Sequence, residues 1–180
     1  MRVIYLFLSL FILAGCSSRS SEYLLPTADV GIVGSAKYPV GLKEVEVPGY
    51  LNSDKVLFQK GAKLYKVDAN FATTPSKLLT HNAIVALKKS LNTPNIQLYP
   101  WDFKSSRGVI VTIKLDDFIF KDGFVHVRGS YYIKSATGKL LSEKNFDLQK
   151  HSSEDVGSVV ANLSKLFNQV VVEVAQKIAR

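Results

Sequence analysis

The chain has almost no cysteine: Cys16 is the single one among 180 residues. One thiol excludes an internal disulfide framework, and it leaves no cysteine pair that can hold a zinc ion. The folded part must therefore be stabilised by burial of apolar side chains. The residues that follow position 15 are numerous enough to form one ordinary domain with a sizeable core.

The motifs of common catalytic sites are also missing. The sequence contains no nucleophile elbow, no phosphate loop and no dinucleotide fingerprint. His81, His126 and His151 lack metal-type spacing and have no paired nucleophile. Asp116 and Asp117 are adjacent in a predicted strand and so point to opposite faces, which prevents them from acting on one atom. We therefore predict a protein that is not an enzyme and that binds no metal.

Acidic residues are outnumbered, because 15 Asp and Glu stand against 23 Lys and Arg, for a formal net charge of +8. A basic domain can bind an anionic membrane surface, an acidic protein or nucleic acid. No run of Lys and Arg is interleaved with aromatic residues, so we predict no nucleic-acid partner. Two interpretations stay open: a dedicated basic contact surface, and a surface that is evenly rich in lysine.

The N-terminus carries the most specific pattern in the chain. Arg2 precedes an apolar run over residues 3–14, which is too short to span a bilayer. The run ends in Leu13-Ala14-Gly15-Cys16, an order that resembles the lipobox of bacterial lipoproteins. The resemblance implies cleavage before Cys16, a thioether-linked diacylglycerol on its sulfur and an acyl group on its amino terminus. We expect no other cofactor.

The residue after the lipobox bears on localisation. Ser17 stands there, where an aspartate would retain an enteric-type lipoprotein at the inner membrane. The resemblance therefore implies sorting to the outer membrane, with a lipid anchor on its periplasmic face. An ordinary secretory signal, or an uncleaved anchor with an incidental cysteine, is the alternative interpretation.

The domain organisation follows from the composition after the signal peptide. Residues 1–15 are the predicted lipoprotein signal peptide. Residues 16–29 are polar at first and contain Pro26, which predicts a lipidated tether. Residues 30–180 are predicted to form a single domain.

Hydrophobic periodicity predicts two helices and a series of strands in this domain. Thr74 and Pro75 supply a hydroxyl cap and an initial proline for the first helix. Ser152, with Asp155 three residues later, begins a longer helix with a continuous apolar stripe. Strands are predicted at residues 30–34, 39–47, 55–58, 63–67, 96–99, 109–116, 125–133 and 140–148. The fold class is α+β: a mixed, mainly antiparallel sheet with two helices packed on one face.

Aromatic residues cluster around the hairpin turn Lys121-Asp122-Gly123. Strict alternation places Phe118, Phe120, Phe124 and Tyr132 on the outward face of the sheet. Such a cluster either marks an interface or fills a covered part of the sheet. Trp101, in a loop after a proline, is a further candidate contact.

One segment carries a family resemblance. Val45–Val56 contains a V-x-x-P-x-Y-L pattern that resembles a segment near the start of PqiC-type ABC-transport auxiliary lipoproteins. The order of lipobox, Val/Gly strand, this segment, helix, meander and closing helix is also similar to that family. Tyr50 and Leu51 lie in this pattern, as a docking pair or as a buried anchor at the start of a strand.

The resemblance implies an accessory lipoprotein of a transport system built on MCE-domain proteins, which moves phospholipids between the inner and outer membranes. Its implied partners are an MCE-domain protein, on which it docks, and the associated ABC transporter. It also leaves room for a homo-oligomer. The alternative is an outer-membrane assembly lipoprotein or a lipoprotein that activates a cell-wall synthase, since both are anchored interaction modules.

Overall fold

A computed structural model describes residues 21–26, 30–101 and 107–180, so Cys16 and Ser17 lie outside the described residues. The strands are β1 (Ser21–Tyr23), β2 (Val40–Leu42), β3 (Lys55–Lys60), β4 (Lys63–Phe71), β5 (Ile96–Leu98), β6 (Val109–Lys121), β7 (Phe124–Ser135) and β8 (Leu140–His151). The helices are α1 (Pro75–Ser90) and α2 (Val156–Ile178), and a 3₁₀ turn covers Gly49–Leu51. The α+β prediction, with a mixed sheet and two helices, is confirmed.

The predicted meander is present as β6, β7 and β8, which pair antiparallel in sequence. Val111 and Ile113 of β6 face Ile133 and Tyr131 of β7, and all four side chains are buried. The turn between these strands uses positive φ angles at two residues that tolerate them, Asp122 and Gly123. Alternation therefore predicted the inner face of this half of the sheet correctly.

A β-bulge in β6 overturns the outward placement of two aromatic residues. The register shifts between Leu115 and Asp117, so that one extra residue enters the strand. After the shift, Phe118 pairs with the inward-facing Val127, and Phe118 and Phe120 are both buried. The prediction for these two was wrong because an extra residue reverses the faces of everything that follows it.

Parallel pairings complete the sheet at both ends of β6. β2 pairs with the start of β6, and β3 pairs with its end. β4 is antiparallel to β3, and β1 is parallel to β4. Apart from the local β3–β4 hairpin, these pairings join segments that are distant in the sequence, which local alternation does not reveal.

The N-terminal part of the domain differs from the prediction. Residues 30–34 form no strand, whereas Ser21–Tyr23, assigned to the tether, pairs with β4. Leu25 is buried in the core. In the Val/Gly segment Gly31 and Ile32 face solvent, and the Val33 N–H donates to the Ser90 carbonyl at the end of the first helix rather than to a strand. The apolar residues after Ser21 instead give the chain an earlier point of attachment.

Helix α1 begins at Pro75 as predicted, with Thr74 before it. The Thr74 side chain makes no capping hydrogen bond, so the proline alone marks the start. Leu79, Ala83 and Leu87 are fully buried, as the helical spacing predicted. This face of α1 packs against α2 and β5.

Helix α2 begins three residues later than the Ser152 cap that we predicted. Asp155 is the N-cap, and its carboxylate accepts a hydrogen bond of 2.8 Å from the Ser158 backbone N–H. This bond lowers the pKa of the Asp155 carboxyl. The Ser152 hydroxyl instead accepts a hydrogen bond of 3.1 Å from the Asn162 side chain.

A polar contact ties α2 to the meander. The buried Tyr131 hydroxyl donates to Glu173 Oε1 at 3.0 Å, and Lys144 Nζ contacts the same oxygen at 2.7 Å. Burial, with the Glu173 carboxylate, raises the pKa of Tyr131 to about 12. Burial would raise the pKa of Glu173, but the hydrogen bonds from Lys144 and Tyr131 outweigh it, so that pKa is lowered.

Candidate functional site

The Val45–Val56 segment passes between α1 and the sheet and is held on both sides. The Val45 N–H donates to Thr80 Oγ1 at 2.8 Å, and both residues are buried. The Glu46 N–H donates to the Ile113 carbonyl at 3.0 Å. The pattern that carries the family resemblance therefore joins the first helix to the central strand.

Tyr50 continues this connection to the outer face of the sheet. Its hydroxyl lies 3.1 Å from the Asp116 carbonyl oxygen and 3.1 Å from Asp117 Oδ1, and it donates to these acceptors at the bulge. Arg128 on β7 pairs with Asp117 at 2.7 Å. Burial, then the Asp117 charge, raises the pKa of the Tyr50 hydroxyl above its ordinary value. The bulge, the tyrosine and the ion pair thus form one polar contact.

Of the predicted Tyr50–Leu51 pair, Leu51 lies in the core and Tyr50 lies on the surface. Leu51 is 1 % exposed and belongs to the core, as the buried-anchor interpretation holds. Tyr50 is 37 % exposed, so its ring still presents surface on the outer face. Of the two residues, Tyr50 alone is accessible to a partner in the folded domain.

A polar depression of about 360 Å³ lies beside the Asp117–Arg128 ion pair, to which the Tyr50 hydroxyl is hydrogen-bonded through Asp117. Its walls come from β3 and the meander: Gln59, Asp117, Ile119, Lys121, His126, Arg128 and Asp147. Sequence reasoning missed this grouping because the bulge that creates it is not visible in a period-2 pattern. The charged pair Asp116-Asp117, in the middle of an otherwise apolar strand, is the sequence feature that could have indicated the bulge.

Trp101 packs on the sheet near the other end of β6. A Cβ atom added at Gly41 would lie 2.7 Å from the Trp101 ring, and one at Gly108 would lie 3.0 Å from it. The Tyr99 ring stands edge-on at 5.9 Å between centroids. Trp101 therefore fills the space that two glycines leave, and part of its surface stays exposed. Phe103, noted beside it in the sequence, lies outside the described residues.

A larger groove of about 860 Å³ runs along the solvent side of α2. Buried Ser164 forms part of its floor and donates to the Pro26 carbonyl at 2.8 Å. The described lining comprises Pro26, Val30, Gly31, Ala161, Ser164, Lys165, Asn168, Gln169, Val172, Glu173, Gln176, Lys177 and Arg180. The groove combines apolar patches with three cationic side chains.

Two further properties apply to residues 21–26, 30–101 and 107–180. No helix there combines the length and the apolar character needed to cross a bilayer. No cluster of three or more His, Cys, Asp or Glu in the same part of the chain is arranged to hold a metal ion.

Solved structures share this fold. A crystal structure of an uncharacterized protein is 20 % identical, with a TM-score of 0.73 over 88 % of this chain and 98 % of that one. A protein from Xanthomonas campestris, of the family DUF330, is 14 % identical, with a TM-score of 0.67 over 86 % and 92 %. A PelC dodecamer from Paraburkholderia phytofirmans is 8 % identical, with a TM-score of 0.51 over 83 % and 93 %.

The sequence comparisons identify the family. No curated protein matches the chain. The model of one protein family, the ABC-type transport auxiliary lipoprotein component, matches residues 23–175. The match covers every strand and helix described above except the first residues of β1 and the end of α2. The chain therefore belongs to the ABC-type transport auxiliary lipoprotein family.

Proposed function

We propose that this protein is a lipid-anchored accessory lipoprotein of an MCE/ABC-type system that transports phospholipids between the inner and outer membranes. It acts by docking on the MCE-domain partner, and it performs no catalysis itself. The family match over residues 23–175 is the observation that carries the proposal. The transport system, rather than this chain, supplies the energy for movement of lipid.

The anchor in this proposal is Cys16, acylated on sulfur and nitrogen and held in the periplasmic leaflet of the outer membrane. Two or more acyl chains hold a protein stably at a membrane, whereas one chain does so only marginally. The first described strand begins at Ser21, five residues after Cys16. The folded domain is therefore held close to the bilayer, because five residues span at most about 17 Å.

Of the two candidate contacts in the family segment, Tyr50 is the one that a partner can reach. Tyr50 presents its ring on the outer face, fixed by the bulge and the Asp117–Arg128 pair. A rigid aromatic residue beside a charged rim is a common composition for the centre of an interface. Trp101 is a second candidate on the sheet.

Self-association is part of the proposal. The PelC protein with a similar fold is a dodecamer. β8 lies at one edge of this sheet, since it pairs only with β7 among the described strands. An edge strand offers backbone groups to a second copy of the chain.

Crosslinking in the native cell tests the docking role. The protein carries a tag after Arg180, an exposed residue, and is captured from membranes after treatment with an amine-reactive reagent. An MCE-domain protein should be recovered from the wild type and lost from a Cys16→Ser control. Repeated recovery of a β-barrel or a cell-wall synthase, with no MCE-domain protein, would contradict the proposal and favour an assembly role.

A photoreactive residue then tests the surface. Placed at position 50, it should crosslink the same partner, while the same group at Thr137, in the exposed β7–β8 turn, should not. Equal capture from both positions would show that Tyr50 is not at the interface.

A further inference from the structure

Two turns lie side by side at one end of the sheet, and we call them the double turn: residues 60–63 between β3 and β4, and residues 121–124 between β6 and β7. The Gly61 N–H donates to Asp122 Oδ1 at 3.3 Å, and the Asp122 N–H donates to the Gln59 carbonyl at 3.4 Å. The Gln59 side chain also donates to the Gly61 carbonyl at 2.7 Å. These bonds hold the two turns as one projecting structure.

The double turn and the start of β4 present apolar and cationic side chains together. Leu64 is 48 % exposed, Tyr65 is 46 % exposed and Phe124 is 40 % exposed. Lysines surround them at positions 60, 63, 66 and 121, and residues 55–67 contain no Asp or Glu. Asp122, the acidic residue within the double turn, is used to hold Gly61. This composition is typical of a segment that lies in a lipid interface, where apolar groups enter the acyl boundary and lysines contact headgroups.

The direction of β1 sets the end of the sheet from which the described chain starts. β1 runs parallel to β4, with Ser21 opposite Ala69, and β4 runs away from the double turn. Ser21 therefore lies at the end of β1 that faces the double turn. Ala69 lies roughly 20 Å from Lys63 at the usual rise of a strand, and the stretch from Cys16 to Ser21 reaches about 17 Å. A stretch of that reach is just long enough for Cys16 and the double turn to meet the same membrane surface.

The opposite end of the sheet is far from the double turn. The β7–β8 turn lies at the far end of the 12-residue strand β7, roughly 40 Å from the double turn. It carries the lysines Lys134 and Lys139, which are exposed. These residues provide a matched control, since their charge is the same and their position is not.

We propose that the double turn is a second membrane contact, which seats on the anionic phospholipid surface that holds the acylated Cys16. This inference rests on the lipid anchoring in the proposed function, and it adds the orientation of the domain. Each lysine near an anionic surface strengthens membrane association by about fivefold. The contact fixes the double turn against the bilayer and directs the β7–β8 turn into the periplasm.

A polarity-sensitive fluorophore on a single introduced cysteine tests this orientation. The full lipidated protein carries Ala62→Cys or, as the control, Thr137→Cys, and is reconstituted into phosphatidylcholine vesicles with or without phosphatidylglycerol. Acylation of Cys16 leaves the introduced thiol as the only reactive one. The probe at position 62 should show a blue shift that is larger with phosphatidylglycerol and decreases in high salt. The probe at position 137 should not respond.

Charge-reversal variants provide the second part of this experiment. Lys60→Glu/Lys63→Glu should abolish the blue shift at position 62, whereas Lys134→Glu/Lys139→Glu should leave it intact; circular dichroism confirms that both variants fold. Equal responses at positions 62 and 137, or insensitivity to Lys60→Glu/Lys63→Glu, would overturn the inference. Mass spectrometry of the same samples separates the failures. Unmodified Cys16 overturns the anchor and this inference together, while acylated Cys16 with a silent probe at 62 overturns this inference alone.

Discussion

Gly129→Ala tests the packing at the bulge, on which the position of Tyr50 depends. Gly129 lies between β6 and β8, opposite Leu115 and Phe146. A Cβ atom there would collide with the Lys114 carbonyl oxygen and would lie 2.9 Å from the Leu115 Cα. These are backbone atoms of a paired strand, so a rotamer change cannot relieve the contact. Overpacking of this kind costs about 1–3 kcal/mol, and we expect the upper half of that range.

Urea unfolding, followed by far-UV circular dichroism in mild detergent, measures this cost. Gly31→Ala is the matched control, because nothing lies within 4 Å of a Cβ at Gly31 and its φ is not positive. That control should be neutral or stabilising by up to about 1 kcal/mol. An unfolding free energy for Gly129→Ala within about 0.5 kcal/mol of the control would show that β6 does not approach Gly129 closely.

Three further predictions follow from the contacts described. Leu51→Ala should lower the unfolding free energy by about 2–5 kcal/mol, whereas Tyr50→Phe should cost at most about 1.5 kcal/mol, and urea titration of both separates core from surface. The pKa of Glu173 is lowered in the folded state, so the stability that this carboxylate contributes is present above the unfolded pKa and is lost as the pH falls through the folded pKa. The Glu173→Gln variant lacks this contribution, so acidification from neutral pH to about pH 3 should reduce its unfolding free energy by less than that of the wild type. Gly41→Ala should displace the Trp101 ring and shift its emission to longer wavelength, and an unchanged spectrum would contradict the packing of that ring.

The sequence predicted the parts of the fold that depend on local periodicity. The strands around Val111 and Val127 have one buried and one wetter face, so alternation identified them. The stripe on α2 and the proline at the start of α1 were equally readable, because helical spacing and the fixed φ of proline act locally. The N-cap of α2 is Asp155 and not the predicted Ser152, because serine and aspartate side chains can accept the same backbone hydrogen bond.

The rest depends on contacts between distant segments. The strand β1 is only three residues long and is stabilised by its parallel neighbour β4, so nothing in its own sequence requires a strand. The bulge after Leu115 is set by the approach of Gly129 and by the Tyr50 hydroxyl, neither of which is near it in the chain. The candidate site therefore required the structure, although Tyr50 itself was identified from its motif.

Mass spectrometry of the N-terminal peptide, from protein isolated out of its native cell membranes, tests directly whether a lipid anchor attaches this domain to the membrane. We expect a mature chain that begins at Cys16, with diacylglycerol on the sulfur and an acyl group on the amino nitrogen. A chain that retains Met1, or a Cys16 with a free thiol, would contradict it.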